Sequence, residues 1–419
     1  MKLRIAYLWQ EAGLEKGPER GLLVSARAIV RALQQRGHRV VVVSLGQRRR
    51  VLETEDFITF TIRRGGLSDH RVFTFFEGVI RRLQSETRFP YLGLFDGFRF
   101  GEVCARALGD YDVLHVRSVL FGWGAMLAQQ RLGLPLVLAL EADPLVDLQT
   151  MGVPLSPIQR LLVRYIPRAY VRRAAAIVCL SRQLQEYMIQ HWGAKPDKTY
   201  VIPLAVDVDL FAPSGCRSEI RARLGLGDAP TVIFIGGFYR WHGLDVLIEA
   251  FRHLMQQLPQ ARLLLAGDGQ ERAGLEQRVN EFGLPHAVKF LGHVPHQEVP
   301  RFLEAADVAV APYLPLANGR FWNSPLKIYE YMAAGKAIVT TPLGQIADVI
   351  HDGHSGRLVP PGDALQLANA MAELLRDEGL RTRLGANARR QAMEEHSWAR
   401  YAGELEQVYL DVLRGRYQT

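Results

Sequence analysis

The sequence has few cysteines and no membrane-length apolar run. Cys104, Cys179 and Cys216 lie far apart, which excludes a disulfide framework and a clustered cysteine metal site. The longest apolar runs, such as 134–140 and 232–235, have the length of strands and fall far short of a bilayer span. The amino terminus leads directly into a strand pattern and lacks the apolar region of a signal peptide. These absences favour a reducing cytoplasm.

The positive charge is concentrated in the first half of the chain. The 419 residues carry a net charge of +8 and are too many for one ordinary core, so we expect two domains. Up to Val206 there are 29 Lys and Arg against 18 Asp and Glu, whereas the remainder has 22 against 25. The basic half should meet an anionic partner. Nucleic acid is disfavoured because the half carries no zinc-finger, RRM or KH pattern. A phosphorylated or lipid-linked acceptor at a membrane surface fits better.

Strand and helix patterns alternate through both halves, which predicts an α/β fold with two doubly wound, mostly parallel sheets. The boundary is expected near 207–227, where proline and glycine concentrate. We therefore predict domains at 1–206 and 207–396, with an amphipathic helix in 397–419. In the first domain, His115 and Glu141 end predicted strands, at the edge where open α/β sheets bind ligands.

The segment 158–173 combines an apolar helical stripe with a row of arginines at every fourth position, Arg160, Arg164, Arg168 and Arg172. Two interpretations stay open. The row is either a solvated surface or a face for anionic headgroups or an acceptor phosphate.

The stretch 323–339, Asn-Ser-Pro-Leu-Lys-Ile-Tyr-Glu-Tyr-Met-Ala-Ala-Gly-Lys-Ala-Ile-Val, predicts a helix that leads into a buried strand. Pro325 suits its first turn and Gly335 its carboxyl-terminal cap. Lys327 and Glu330 lie three residues apart on one flank, where they either form a solvated ion pair or hold a phosphate and a ribose hydroxyl.

This stretch closely resembles the C-terminal signature of family 4 glycosyltransferases, in a variant reading Ser-Pro-Leu-Lys-x-x-Glu-Tyr-Met-Ala. Further family motifs occur in the family's order, among them Asp-Val-Leu-His, Val-Ile-Pro-x-x-Val-Asp, Gly-Asp-Gly and Ala-Ala-Asp-Val. The resemblance implies the GT-B fold, with two Rossmann-like domains facing a cleft and a C-terminal helix that returns to the first domain. It also implies a retaining, metal-independent hexosyltransferase that uses a nucleoside-diphosphate sugar and no cofactor.

The family motifs also imply roles for individual residues. Glu330 would bind the ribose, and Glu141, Lys327 and Arg240 are the candidate catalytic residues. The remaining donor-binding candidates are Gly17, Gly236, Gly237, His242, Gly267, Gly269, His293, Val294, Asn323, Ser324 and Leu326. For Glu141 the open alternative is a salt bridge to an arginine, for Arg240 an exposed loop charge, and for the glycines and 293–294 plain turns.

Three departures from the family pattern bear on activity. Trp322 stands where an upstream glutamate is common, and Gly237 and His242 replace the arginine and lysine that usually face the diphosphate. Arg240 and Lys327 are the nearest substitutes. A GT-B protein that binds a nucleotide or glycan without catalysis therefore stays an alternative. An epimerase or dehydrogenase is disfavoured, since neither half opens with Gly-x-Gly-x-x-Gly after a strand.

The biological setting follows only loosely from these features. We expect an enzyme of surface polysaccharide or glycolipid synthesis, located in the cytoplasm or at the inner face of the membrane.

Overall fold

The computed structural model describes residues 1–12, 21–46, 50–64, 66–87, 93–117, 122–150, 152–316 and 318–416. They form two compact units, Met1–Ile202 with Tyr401–Thr419, and Pro203–Arg400. The sequence analysis placed the domain boundaries at 206/207 and 396/397. These boundaries stay a prediction. Within the described ranges, no helix is both long enough and apolar enough to cross a bilayer.

The first unit is built on an eight-stranded sheet with the order β4-β3-β2-β1-β5-β6-β7-β8. The neighbouring strands in the part of the sheet ordered β2-β1-β5-β6-β7-β8 are all parallel, as predicted. The β2–β3 and β3–β4 pairs at one edge are antiparallel. The sequence analysis did not predict this edge hairpin. The strands are β1 (Arg4–Ala12), β2 (Arg39–Leu45), β3 (Val51–Thr54), β4 (Thr61–Arg63), β5 (Val113–Arg117), β6 (Leu136–Leu140), β7 (Ala176–Cys179) and β8 (Thr199–Val201).

Helices cover this sheet because its parallel strands need crossover connections. They are α1 (Gly21–Gln35), α2 (Arg71–Thr87), α3 (Leu94–Ala107), α4 (Gly124–Leu132), α5 (Pro144–Thr150), α6 (Pro157–Arg173) and α7 (Arg182–Trp192). Only part of the predicted stripe on α6 is buried. Ile166 and Ala169 are buried, whereas Ile158, Leu161 and Tyr165 are exposed beside the arginines.

The last helix, α16 (Trp398–Arg416), belongs to the first unit from Tyr401 onward, as the resemblance implied. Tyr409 Oη lies 2.8 Å from His115 Nδ1, and Glu406 accepts a 2.7 Å hydrogen bond from Arg36 Nε. His115 is fully buried and stacked on Tyr7, with ring centroids 4.7 Å apart. It is therefore a packing residue that secures α16 to the sheet.

Acid should destabilise the first unit through His115. Burial, with Arg117 adding repulsion, lowers the pKa of His115 to about 3. The unfolded chain then binds a proton below its pKa of about 6.5 that the folded chain does not bind, so stability is present at pH 7 and lost as pH falls. For this one group the loss between pH 7 and pH 5 should be on the order of 2 kcal/mol. Urea unfolding of wild type and His115→Gln at both pH values tests this, since equal pH dependence in the two proteins would contradict it.

The second unit repeats the architecture with a fully parallel six-stranded sheet in the order β11-β10-β9-β12-β13-β14. Its strands are β9 (Thr231–Ile235), β10 (Arg262–Ala266), β11 (Val288–Gly292), β12 (Val308–Ala311), β13 (Ala337–Thr340) and β14 (Arg357–Leu358). Its helices are α8 (Arg217–Leu224), α9 (Leu244–Gln257), α10 (Arg272–Glu281), α11 (Val299–Ala305), α12 (Leu326–Ala333), α13 (Gln345–Val349), α14 (Ala364–Arg376) and α15 (Glu378–Glu395).

The predicted signature helix is α12, and it is more buried than expected. Pro325 occupies its N-cap position, and Gly335 follows the C-cap residue Ala334 with φ of 64°. Every residue from Lys327 to Ala333 is buried. The interpretation of Lys327 and Glu330 as a solvated ion pair is therefore wrong.

Candidate functional site

The strand order of the second sheet reverses between β9 and β12. In open parallel sheets, ligands bind beyond the carboxyl ends of the strands at such a reversal. Gly236 directly follows β9, and Tyr313 lies two residues after β12. Lys327, in the first turn of α12, reaches the same place, because a Cβ atom added to Gly236 would lie 2.6 Å from its Nζ atom. The fold thus brings three distant segments to one point.

Lys327 is buried without a hydrogen-bond partner for its ammonium group in the described structure. Its Nζ atom lies 4.0 Å from the ring centroid of Phe234 and 5.2 Å from that of Tyr313. Burial lowers the pKa of Lys327 to about 7, although Glu330 opposes the shift. A buried ammonium without hydrogen bonds is costly unless a ligand completes its contacts. This arrangement suits an anion.

Lys336, on the same segment, is half-buried and shows what a structural lysine looks like. Its Nζ atom donates to the carbonyl oxygen of Ala306 at 3.0 Å, beyond the end of α11. Burial also lowers the pKa of Lys336, to about 8. Burial lowers the pKa of both lysines, but Lys327, unlike Lys336, has no hydrogen-bond acceptor among the residues that the structure describes.

Glu330 lies one turn after Lys327, and its Oε1 atom is 2.8 Å from His296 Nε2. Its second oxygen accepts no hydrogen bond from the residues that the structure describes. His296 follows β11 and packs near Phe211, with ring centroids 5.6 Å apart. One oxygen of the carboxylate is thus fixed by a protein donor, and the other is available to a hydroxyl group.

His242, which stands in place of the usual lysine, is uncharged in this structure. Burial, with the nearby Lys327, lowers the pKa of His242 well below its usual value, so the imidazole is neutral. Its Nδ1 atom lies 2.5 Å from the carbonyl oxygen of Gly237 and must carry the proton, because a carbonyl only accepts. Nε2 is then an acceptor. In this state Nε2 has no proton to donate to a phosphate, and the role of His242 as a donor-binding candidate stays a prediction.

Two tyrosines shape the space around Lys327. Tyr331 Oη accepts a 2.9 Å hydrogen bond from the Ile235 N–H, which fixes the end of β9. Tyr313 is buried, and its hydroxyl has no hydrogen-bond partner among the described residues. Burial raises the pKa of Tyr313 well above its usual value, so the hydroxyl stays protonated and can donate. Tyr313 and Lys327 therefore leave two buried donors unsatisfied close together.

The glycines of the second unit serve close backbone packing. Gly236 has φ of 141°, and any side chain there would meet Lys327. A Cβ atom on Gly267 would collide with the carbonyl oxygen of Gly236, and one on Gly269 with the backbone of Phe238. Gly237 has similarly little room, because Tyr239 lies against it. Gly267 and Gly269 thus let the two loops after β9 and β10 touch, and any contact with a donor stays a prediction.

The segment before α12 is largely committed to internal contacts. Ser324 Oγ accepts a 3.0 Å hydrogen bond from the Leu204 N–H and lies 2.8 Å from Tyr329 Oη. Trp322 is fully buried, in agreement with a structural wedge. Asn323 and Leu326 are partly exposed and adjoin the cluster in sequence. Ser324 therefore fixes the linker to α12, which argues against a free donor hydroxyl there.

Three candidates lie outside the buried cluster. Arg240 is exposed, in a single 3-10 turn, and its side chain forms no hydrogen bond or ion pair with any residue that the structure describes. His293 is exposed and Val294 partly exposed, after the end of β11. None of the three is brought against Lys327 or Glu330 by the described contacts, and their roles stay predictions.

In the first unit, Glu141 is held by a buried arginine. Arg117 Nε donates to Glu141 Oε1 at 2.5 Å, and its other nitrogens donate to Tyr7 Oη at 3.1 Å and Ser25 Oγ at 2.7 Å. This is the salt bridge that the sequence left open, and it fixes the carboxylate at the carboxyl end of β6. A role toward an acceptor stays a prediction. Gly17 lies outside the described residues.

Carboxylates do not gather into a metal site in the described ranges, where no group of three His, Cys, Asp or Glu side chains could hold an ion. Asp-x-Asp occurs at Asp110–Asp112 and Asp207–Asp209. Asp112 accepts a hydrogen bond from the Arg4 N–H at 2.6 Å, and Asp207 from the Leu210 N–H at 3.0 Å. Asp112 thus lies just before β5 and ties it to the start of β1, and Asp207 holds a turn that follows β8. Metal independence stays a prediction.

Sequence reasoning missed His296 and Tyr313. Tyr313 follows a predicted strand by two residues, so its place at the ligand edge was a usable signal. His296 lies 34 residues before Glu330, and nothing in the spacing predicts their contact.

His296 should act as a positioning residue for Glu330. We expect His296→Ala to weaken ribonucleotide binding about tenfold, since a fixed hydrogen bond to a carboxylate is lost. Affinity for a 2′,3′-dideoxynucleotide should not change, and His296→Gln should restore most of the loss by supplying an N–H. Calorimetric titration measures all three, and an equal loss for both nucleotides would show a merely structural role.

Two family models match consecutive parts of the chain. The model described as Glycosyltransferase Family 4 matches residues 20–210, and the model described as Glycosyl transferases group 1 matches residues 217–391. These ranges correspond to the bulk of the two units.

Curated and solved relatives agree with that match. A D-inositol 3-phosphate glycosyltransferase of Corynebacterium aurimucosum is 29% identical over 355 residues, which covers 82% of this chain and 82% of that one. HepE of Anabaena, solved in complex with UDP-glucose, has a TM-score of 0.71 at 20% identity, covering 98% and 100% of the two chains. Sucrose-phosphate synthase of Thermosynechococcus elongatus has a TM-score of 0.74 at 23% identity, with the same coverage.

The matched models together span most of the sequence, and the two parallel sheets with covering helices agree with the fold of the solved relatives. This chain therefore belongs to the GT-B glycosyltransferases that combine a family 4 domain with a group 1 domain.

Proposed function

We propose that this protein moves a hexose from a nucleoside-diphosphate sugar to an acceptor hydroxyl, with retention of the anomeric configuration and without a metal ion. The observation that carries the proposal is the buried ammonium of Lys327, which lacks a hydrogen-bond partner at the strand-order reversal of the second sheet. Solved HepE of Anabaena holds UDP and UDP-glucose, which supports a nucleotide sugar as the donor class.

In this proposal the second unit binds the donor. The ammonium of Lys327 and the hydroxyl of Tyr313 donate to the diphosphate, next to the glycine turn at 236–237. Glu330 accepts a hydrogen bond from a ribose hydroxyl through the oxygen that His296 leaves available. Arg240, which is exposed on the neighbouring turn, supplies a second cation after donor binding.

Catalysis then follows from charge stabilisation. The acceptor hydroxyl attacks the anomeric carbon as the bond to the diphosphate breaks, and the leaving phosphate oxygen takes the hydroxyl proton. Negative charge grows on the diphosphate in this step, so a fixed cation next to it lowers the barrier. Glu141, oriented by Arg117, would position the acceptor or the sugar.

The acceptor class follows from charge. The first half of the chain is basic, and the arginines of α6 have no carboxylate partner in the part of the chain that the structure describes. A phosphorylated or lipid-linked acceptor at the cytoplasmic face of an anionic membrane fits this surface. We place the reaction in surface polysaccharide or glycolipid synthesis.

A transfer assay tests the proposal. The protein is incubated with UDP-, GDP-, ADP- and dTDP-sugars, simple and phosphorylated acceptors, and EDTA, and release of nucleoside diphosphate is followed. We expect acceptor-dependent release of nucleoside diphosphate from one donor class. NMR of the product should show the same anomeric configuration, axial or equatorial, as the sugar has in that donor. Nucleotide binding without any release would instead favour a non-catalytic binding protein.

A further inference from the structure

Helix α2 exposes an unusually apolar face. Phe75, Phe76 and Leu83 are 67%, 57% and 53% exposed, and Val72, Val79 and Ile80 are exposed beside them. At a helical rotation of about 100° per residue, these six side chains fall within an arc of about 140°. Contiguous apolar surface of this kind marks an interaction site.

The opposite side of α2 already provides its packing. The Phe73 ring contacts Phe95 and Phe98 of α3, with centroids 5.6 and 5.5 Å apart. Glu77, the buried residue of the helix, accepts hydrogen bonds from Arg81 and from Arg99 of α3. The inward side of the helix therefore packs through Phe73 and buried ion pairs, and the apolar stripe takes no part in that packing.

Charge on α2 is separated in the same way. The carboxylates of Glu77 and of Asp96 on α3 are buried and paired with Arg81. Arg71 and Arg82 flank the exposed stripe and have no carboxylate partner among the residues described. Glu77 and Asp96 thus face inward, whereas the outward face is apolar, with Arg71 and Arg82 at one margin and the exposed Glu86 in its last turn.

Helix α6 repeats this pattern. Ile158, Leu161 and Tyr165 are exposed, with Arg160 and Arg164 between them. The crossovers leading to β5, β6 and β7 all move in one direction across the sheet, so their right-handedness places α3, α4 and α6 on one face. Since α2 packs on α3, both patterned helices lie on that face of the first unit.

We propose that the outward face of α2 inserts into the headgroup region of an anionic lipid bilayer. This deepens the membrane contact proposed above by naming an apolar anchor in addition to the arginines of α6. A bilayer accepts a row of aromatic and aliphatic side chains without a matching shape, and its phosphates complement Arg71 and Arg82. A protein partner would need acidic groups arranged to fit both helices.

Vesicle flotation of the full chain tests the inference. Vesicles of phosphatidylcholine alone and with about 30% phosphatidylglycerol provide neutral and anionic surfaces. The α2 variant is Phe75→Ser/Phe76→Ser/Leu83→Ser, and the matched control is Leu365→Ser/Met393→Ser, whose residues are 56% and 52% exposed on α14 and α15. A third protein, the Gln variant, is Arg160→Gln/Arg164→Gln/Arg168→Gln/Arg172→Gln. Circular dichroism and lipid-free nucleotide titration check folding.

Wild type and the control should float with the anionic vesicles, and the α2 variant should partition at least about tenfold less. Equal flotation of the α2 variant and wild type would overturn the inference. Loss of flotation in the Gln variant alone would also overturn the inference about α2, but it would support a contact between the arginines of α6 and the membrane. The face would instead be assigned to self-association if neither protein floats and sedimentation velocity shows a wild-type dimer that the α2 substitutions dissociate. Nucleotide binding is read without lipid, so the transfer proposal stands or falls separately.

Discussion

Lys327→Met is expected to weaken nucleoside-diphosphate binding by about 10- to 100-fold, since a charged hydrogen bond to phosphate is worth roughly 1.5–3 kcal/mol. The same change should stabilise the free protein by about 2 kcal/mol, because it removes a buried cation that lacks hydrogen bonds. Calorimetric titration and urea unfolding measure the two effects. Opposite effects of one substitution on ligand binding and stability are typical of a group kept for function.

Lys336→Met is the matched control for that prediction. Lys336 is half-buried and also has a lowered pKa, but it donates to the backbone carbonyl oxygens of Glu304 and Ala306. Its loss leaves those acceptors unsatisfied, so the variant should be less stable and should bind nucleotide as wild type does. Equal behaviour of the two lysine variants would contradict the distinction drawn between the sites.

The lowered pKa of Lys327 gives the binding reaction a pH signature. The pKa lies at about 7 in the free protein and about 10.5 in the unfolded chain, so the unfolded state binds more protons between these values. Wild-type stability should therefore rise with pH across that window, and Lys327→Met should remove the rise. A bound diphosphate raises the pKa of Lys327, so at pH 8 binding takes up a proton, which titrations in buffers of different ionisation enthalpy detect.

Glu330→Ala should weaken ribonucleoside-diphosphate binding by about 10- to 100-fold, because a carboxylate that accepts from ribose is lost, at about 1.5–3 kcal/mol. A 2′,3′-dideoxynucleotide, which lacks the hydroxyls, should bind both proteins equally. Glu249→Ala removes a surface carboxylate paired with Arg278 and should change neither affinity. If Glu330→Ala weakens both nucleotides alike, the carboxylate acts on the fold rather than on ribose.

Continuous apolar strands were the best-predicted part of the fold. The apolar runs 134–140 and 232–235, which have the length of strands, coincide closely with β6 and β9, because both strands are buried. The hairpin of β3 and β4 was missed. β4 is exposed at the sheet edge and has three residues, so no alternation of apolar side chains marks it.

For the site, sequence could name Lys327 and Glu330 but not their environment. Their three-residue spacing left a solvated pair open as one interpretation, yet every residue from Lys327 to Ala333 is buried. Helix α15 packs nearby, where Gly385 lies against the Gly335 carbonyl oxygen. Burial is what leaves Lys327 without a partner and lowers its pKa. The contacts of Lys327 with Phe234, and of Glu330 with His296, come from strand order, which residue spacing does not encode.

The most direct test of the central claim is calorimetric titration of UDP, GDP, ADP and dTDP into the wild-type protein in EDTA and then in Mg²⁺, with Lys327→Met and Glu330→Ala beside it. We predict that one nucleoside diphosphate binds equally well in both conditions, and that each substitution weakens it at least about tenfold. Failure of all four nucleotides to bind, or unchanged affinity in both variants, would contradict a diphosphate and ribose site at the strand-order reversal of the second sheet.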